Sequence, residues 1–324
     1  MPVIKGINTQ TIAVSRQLLT LQLAGMTGGW LTPDLAAIML WHADPNCMAF
    51  SYELLAAMVR KKLLLPRPID GRGRVYVVTD VGAHFAESNG IRTKVGTRWG
   101  NQPTGQRWMP PQRFGHDLRA ARFMLYLSKA DRNSLAVLTR GLPTNAHDHL
   151  AHDVSIAMDW EIQQSNGAEC LLKLPDGLAV IGDRVYWVEV EASRKDGKKG
   201  MGHLCEYLIA IAQGECPYIN VPGHFTEGSR KRPTDSIVVF PPLARDIRGT
   251  MLNHKKRLVS ALKRALEQQR DLIDDEIFVD PRSETRPLPP GMMRTYFVQE
   301  ITPGQFVMPE RSTILGIAGS IPDL

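Results

Sequence analysis

Glu189 and Glu191 stand two residues apart at the end of "VYWVEVE", and Asp176 follows Pro175 in a short turn upstream of them. Carboxylates are hard oxygen donors. A divalent ion such as Mg²⁺ or Mn²⁺ takes one or two of them and fills its remaining positions with water. An ion held in this way neutralises charge building up on a phosphate ester and delivers the water that attacks it. Asp176 and Glu189 are therefore the leading candidate ligands, and Glu191 is the candidate to orient or deprotonate the water or to hold a second ion.

These acids depend on the strand that carries them. Side chains alternate along a strand, so Val185, Trp187, Glu189 and Glu191 share one face and Tyr186, Val188 and Val190 the other. Both faces begin apolar, the pattern of an interior strand whose last residues turn acidic. Two carboxylates buried side by side are unfavourable unless a cation or hydrogen bonds compensate. The plainer reading is a sheet edge turning toward water, with "PDG" an ordinary turn.

The chain has 324 residues, enough for two domains, and its 43% hydrophobic and 22% charged residues are those of a globular protein. Apolar runs such as "LLTLQLAGM" and "YLIAIA" fall short of the roughly 18 to 20 residues of a membrane span. The opening "MPVIKGINTQ" lacks the apolar core of a signal peptide. Cys47, Cys170, Cys205 and Cys216 show no metal-ribbon or disulfide spacing. A reducing cytoplasm is the expected compartment.

Residues 1–114 hold 13 Lys and Arg against 6 Asp and Glu, whereas the remainder holds 26 against 27. The basic surplus is thus N-terminal. Between Arg92 and His116 lie Arg92, Lys94, Arg98, Arg107 and Arg113, without an acid and interleaved with Trp99 and Trp108. Phosphates attract such cations and bases stack on such rings, so DNA, double- or single-stranded, is the expected partner. A solvated basic linker is the alternative.

Helical spacing in "TIAVSRQLLTLQLAGM" predicts a first helix, stopped by the glycines of "TGGW". A second starts with Thr32 as N-cap, Pro33 in the first turn and Asp34 at the positive end of the dipole. A third begins at Ser51, with Leu54, Leu55, Met58 and Val59 as its stripe and Arg60, Lys61 and Lys62 at its end. "LLLPRPIDGRGRVYVVTD" then reads as a β-hairpin with Arg67, Arg72 and Arg74 about its turn. Three helices and a basic hairpin follow the order of a winged helix-turn-helix, which lays its third helix in the major groove. The candidate DNA-binding residues are Arg60, Lys61, Lys62, Arg72, Arg74, Arg98 and Arg107.

Downstream, "HDLRAARFMLYLSKA" predicts a helix, and a second helical pattern runs from Leu150 to Gln164. Strands are expected at about 168–174, 177–182 and 185–191, a helix at 200–213, a strand at "SIVVF" and a long helix from Arg248 to Leu272. With its "PD" and "EVE", this α-β-β-β-α-β order resembles the PD-(D/E)XK nuclease superfamily, an α/β fold of restriction-endonuclease type. In that family an Asp after Pro and a (D/E)-X-K converge at one end of the sheet. Glu191 occupies the place of the usual Lys, as in some restriction enzymes with Glu-X-Glu. The resemblance implies that a nearby lysine supplies the cation, Lys195 first, then Lys198 or Lys199.

A narrower resemblance rests on order. A winged helix, "FGHDLRAARFMLYL", "HLAHDVSIAMDWEI", "LPDGL", "VYWVEVEAS" and "EYLIAI" succeed one another over roughly residues 1–215, as in the replication-relaxation family, which includes MobC-type plasmid relaxases. That resemblance implies a Mg²⁺-dependent nickase acting at a plasmid transfer origin, alongside other relaxosome or coupling proteins. A catalytically inactive accessory or replication regulator is the alternative. Asp153 and Glu161 are candidate outer ligands.

One competing cluster is His147, His149 and His152 in "HDHLAHD", close to the H-x-H-x-D-H pattern of metallo-β-lactamase-fold hydrolases. Ala151 stands where that pattern has Asp. His203 and Glu206 share a helical face but make only two ligands. Tyr186 and Tyr207 lie near the acids, yet core packing is the commoner role of such tyrosines. The resulting division is a winged helix over 1–91, a basic linker over 92–114, a nuclease-like domain over 115–281 and an extension over 282–324.

Overall fold

The computed structural model describes residues 9–69, 73–96, 98–99, 102–103, 114–130, 138, 154–158, 161–162, 175–181, 184–191, 219–220, 230–231, 235–242, 277–280, 292–309 and 313–317. The fold is mixed α/β, and the chain divides into two compact units, Met1–Phe114 and Gly115–Leu324.

The first unit contains α1 (Thr9–Met26), β1 (Trp30–Leu31), α2 (Pro33–Trp41), α3 (Cys47–Arg60), β2 (Leu64–Ile69), β3 (Gly73–Val78), α4 (Asp80–Glu87) and the short pair β4 (Arg98–Trp99) and β5 (Gln102–Pro103). The expected hairpin is β2–β3, in which Leu64 pairs with Val78 and Ile69 with Gly73. β1 adds a third strand on the other edge of β3. Leu21, Leu31, Leu55, Met58, Leu64 and Val78 join the helices to this sheet in one core.

Two local expectations need correction. Pro33 opens α2 after Thr32, but the Thr32 hydroxyl makes no capping bond. The third helix begins at Cys47, not Ser51. The Asp44 carboxylate accepts the Asn46 N–H at 2.8 Å, forming an Asx-turn that launches the helix early. Ser51 instead donates its buried hydroxyl to the Pro33 carbonyl at 2.6 Å, tying α3 to the start of α2. At the far end Lys62 adopts φ 60°, the left-handed stop common after a helix.

Thr79 caps α4 by accepting from Gly82 N–H at 3.0 Å. A Cβ on Gly82 would penetrate the Leu63 carbonyl, which is backbone and cannot rotate away. Gly82→Ala should therefore cost about 2 kcal/mol. Faster amide exchange in α4 and β3 would report it, and unchanged exchange would refute it.

Residues 92–96, expected in the basic linker, lie on the N-terminal unit. Thr93 donates its hydroxyl to the Leu21 carbonyl at 3.1 Å, and Gly96 N–H donates to the Val78 carbonyl at 2.9 Å.

The second unit contains α5 (Phe114–Lys129), whose first residue is counted with the first unit, β6 (Val154–Met158), β7 (Gly177–Ile181), β8 (Arg184–Val190), β9 (Ile219–Asn220), β10 (Arg230–Lys231), β11 (Asp235–Phe240), β12 (Ile277–Asp280), β13 (Met292–Thr302), β14 (Gln305–Val307) and β15 (Thr313–Ile317). Its main sheet runs β12-β15-β13-β11-β8-β7-β6, with β14 on β13. β6, β7 and β8 are antiparallel neighbours, whereas β8, β11 and β13 are parallel.

The helical pattern read over 150–164 is overturned at its centre, because 154–158 is strand β6 paired with β7. "VSIAM" is a short apolar run whose periodicity fits either state, and pairing with β7 decides it. The strand expected at 168–174 and the helices expected at 200–213 and 248–272 lie wholly or mostly outside the described residues. β13, β14 and β15, divided off in the sequence as part of an extension, belong to the sheet, and β13 lies beside β11 within it.

Candidate acidic site

β8 is an interior strand, with β7 on one side and β11 on the other. Every residue from Val185 to Val190 is buried, which accounts for apolar side chains on both faces. Because β8, β11 and β13 run parallel, their C-terminal ends gather at one end of the sheet. The antiparallel β7 begins there. Asp176 immediately precedes β7, Glu189 is the penultimate residue of β8 and Glu191 follows it.

The register ends between the two leading acids. Gly177 pairs with Val188, and Asp176 and Glu189 each stand one residue beyond that last pair. Asp176 N–H also donates to the Val188 carbonyl at 3.0 Å, which departs from regular strand pairing. Its carboxylate turns back to accept Val190 N–H on Oδ2 at 2.8 Å. Asp176 retains 7% and Glu189 6% of its surface exposed, so both carboxylates are buried at adjacent strand ends.

Both buried carboxylates have polar partners. Glu189 Oε1 accepts the Trp187 indole N–H at 2.8 Å on their shared strand face. Asp176 Oδ2 lies 3.0 Å from His116 Nε2, and His116 Nδ1 lies 3.1 Å from Asp117 Oδ1. Each contact is a hydrogen bond only where the ring nitrogen carries its proton, so the imidazolium form satisfies both. Trp187→Phe removes a donor to a buried charged acceptor, and a loss of about 2 kcal/mol in urea unfolding is the expected result.

His116 escaped the sequence reading of the site, although it lies within the "FGHDL" stretch. α5 brings it there by packing on the face that carries Gly177. A Cβ at Gly177 would meet the Met124 sulfur at 2.6 Å, so glycine permits the close approach. On the same helix Arg119 Nε contacts Glu300 Oε2 at the end of β13. Phe123 and Tyr126 pack their rings against Phe306 of β14.

The expected set of three acids is not drawn together. Among the described residues, no group of three or more His, Cys, Asp or Glu is placed to hold a metal ion. Glu191 is only partly buried, and its N–H donates to the Val239 carbonyl at 2.8 Å. The Glu161 carboxylate accepts Met158 N–H at 3.1 Å, a contact between residues three apart in the chain. Asp153, Lys195, Lys198 and Lys199 lie outside the described residues, as do His147, His149, His152, His203, Glu206 and Tyr207.

Tyr186 is a core residue. Its hydroxyl donates to the Leu138 carbonyl at 2.6 Å, and its ring lies 5.9 Å from that of Tyr296. Burial first, then the nearby Asp235, pushes its pKa well above the usual 10. Strand alternation also directs it to the face opposite Glu189.

Of the expected DNA contacts, Arg60, Lys61, Lys62 and Arg74 are exposed, at the end of α3 and in the hairpin. Arg98 belongs to β4, and Arg72 and Arg107 lie outside the described residues. No described helix is long and apolar enough to cross a membrane. Comparison with known family models, with curated proteins and with solved structures yields no match.

Proposed function

We propose that the chain is a Mg²⁺-dependent DNA endonuclease, a relaxase-like nickase of plasmid or mobile-element DNA. In this reading the first unit is a winged helix-turn-helix that holds the duplex, and the second is a nuclease of restriction-endonuclease type. The observation that carries the reading is the pair of buried carboxylates, Asp176 and Glu189, at neighbouring strand ends on one end of the sheet. Support also comes from the element order, in which α5 and three antiparallel strands precede β11, parallel to β8.

A magnesium ion needs only one or two protein carboxylates, so Asp176 and Glu189 fit it in donor type and number. When bound, it would neutralise the charge developing on the scissile phosphate. Asp176 and Glu189 would hold the ion, Glu191 orient the attacking water and Lys195 supply the accompanying positive charge. Supercoiled plasmid incubated with the protein and Mg²⁺ should become open-circular. Intact plasmid across divalent ions and transfer-origin sequences would reject the enzyme.

One observation favours a second reading, a DNA-binding accessory without catalysis. Asp176 and Glu189 already accept N–H donors from the protein, and the described residues gather no three-ligand group. Duplex binding without cleavage would establish that role.

DNA affinity in either case rests on the first unit. Lys61→Ala and Arg74→Ala should each flatten the dependence of log affinity on log salt by roughly 0.9, one phosphate contact apiece. Fluorescence anisotropy over a salt series measures the slope, and an unaltered slope would remove those residues from the interface.

A further inference from the structure

The nuclease reading leaves one buried group at the acidic sheet end without a task. His116 sits in the first turn of α5, mostly buried, with a carboxylate oxygen near each ring nitrogen: Asp176 Oδ2 at 3.0 Å and Asp117 Oδ1 at 3.1 Å. We propose that His116 is the positioning residue of this site, fixing the direction in which Asp176 presents its carboxylate to a divalent cation. The proposal rests on the endonuclease reading.

Two structural elements grip a single oxygen. Asp176 Oδ2 accepts Val190 N–H from β8 at 2.8 Å and faces His116 from α5. Asp176 precedes β7 in a bend outside the paired strand, so the ladder alone does not set its side-chain torsion. Contacts from two directions do. The imidazole is oriented in turn by Asp117, its neighbour on the same helix.

α5 itself has little freedom to shift. Met124 closes on Gly177, Arg119 contacts Glu300, and Phe123 packs edge-on to Phe306 at 5.1 Å. The ring is thus delivered to Asp176 by a helix anchored independently of the acid. Hydrogen-bonding partners behind a ligating carboxylate fix its orientation, and removing such a partner typically costs about 10- to 100-fold in metal affinity.

Mn²⁺ binding to the full chain, followed by the loss of the free-ion electron paramagnetic resonance signal, tests the proposal without requiring turnover. Asp176→Asn should abolish the site. His116→Ala should weaken it about tenfold or more, Asp117→Asn should weaken it less, and His116→Gln, whose amide N–H can reach Oδ2, should restore most of the affinity. The Gln variant separates orientation from mere packing, and melting curves of both His116 variants check the fold. An Asp176-dependent site that His116→Ala leaves equally tight or tighter overturns the proposal alone. Equal weakening in the Gln and Ala variants at matched stability also overturns it. A wild-type chain with no Asp176-dependent Mn²⁺ site removes the endonuclease reading and this inference together.

Discussion

Asp176→Asn is expected to reduce plasmid nicking on the order of 10³-fold, about 4 kcal/mol of transition-state stabilisation. The substitution is nearly isosteric, and its amide oxygen can still accept Val190 N–H, so the turn into β7 should persist. What disappears is a negative charge buried at the sheet end that also carries Glu189. Duplex affinity should remain at the wild-type value, because the exposed cations of the first unit are untouched. Agarose gels of supercoiled plasmid in Mg²⁺, run beside anisotropy measurements, check both halves. Nicking at the wild-type rate would exclude Asp176 from the chemistry, and a parallel loss of DNA binding would mean that the substitution had damaged the fold.

The second large effect concerns the anchor of α5. Arg119→Met should destabilise the second unit by about 4 kcal/mol, because Glu300 retains only 2% exposure and would lose its cationic partner. Glu300 would keep Gly304 N–H, 3.2 Å from Oε1, which is too little to compensate a buried charge. For a unit of this size the melting temperature should fall by roughly 10 °C. The double variant Arg119→Met with Glu300→Met should recover much of the loss, since an apolar pair leaves no orphaned charge. Calorimetry of the three variants measures the coupling. Additive losses would show that the two side chains act separately.

The parts legible in the sequence were those with local causes. The β2–β3 hairpin announces itself by alternating side chains and a glycine-containing turn. β8 reads as interior because Tyr186, Trp187, Val188 and Val190 leave neither face polar. "PDG" leads into β7 as a turn does. The apolar core of β6 reads equally well as helix or strand, and only its pairing with β7 settles it.

The candidate site was legible in the placing of its acids and opaque in their partners. That Glu189 is buried near the end of an interior strand could be read from the apolar residues on both faces of β8, and the turn at Asp176 from "PDG". His116 could not, since its role depends on α5 crossing the Gly177 face of a sheet whose strands come from distant parts of the chain. β13 posed the same difficulty. Its parallel pairing with β11 joins Asp235 to Arg294, and no local pattern encodes a partner that far away.

The order in which the sheet is built has a consequence for biosynthesis. β13 flanks β11 but is synthesised after it and after the intervening β12. Until it emerges, the nascent polypeptide holds β11 with its outer backbone groups unmatched, an edge that invites pairing between molecules. Emergence of β13, rather than completion of the acidic strand, is therefore the event that covers this edge of β11.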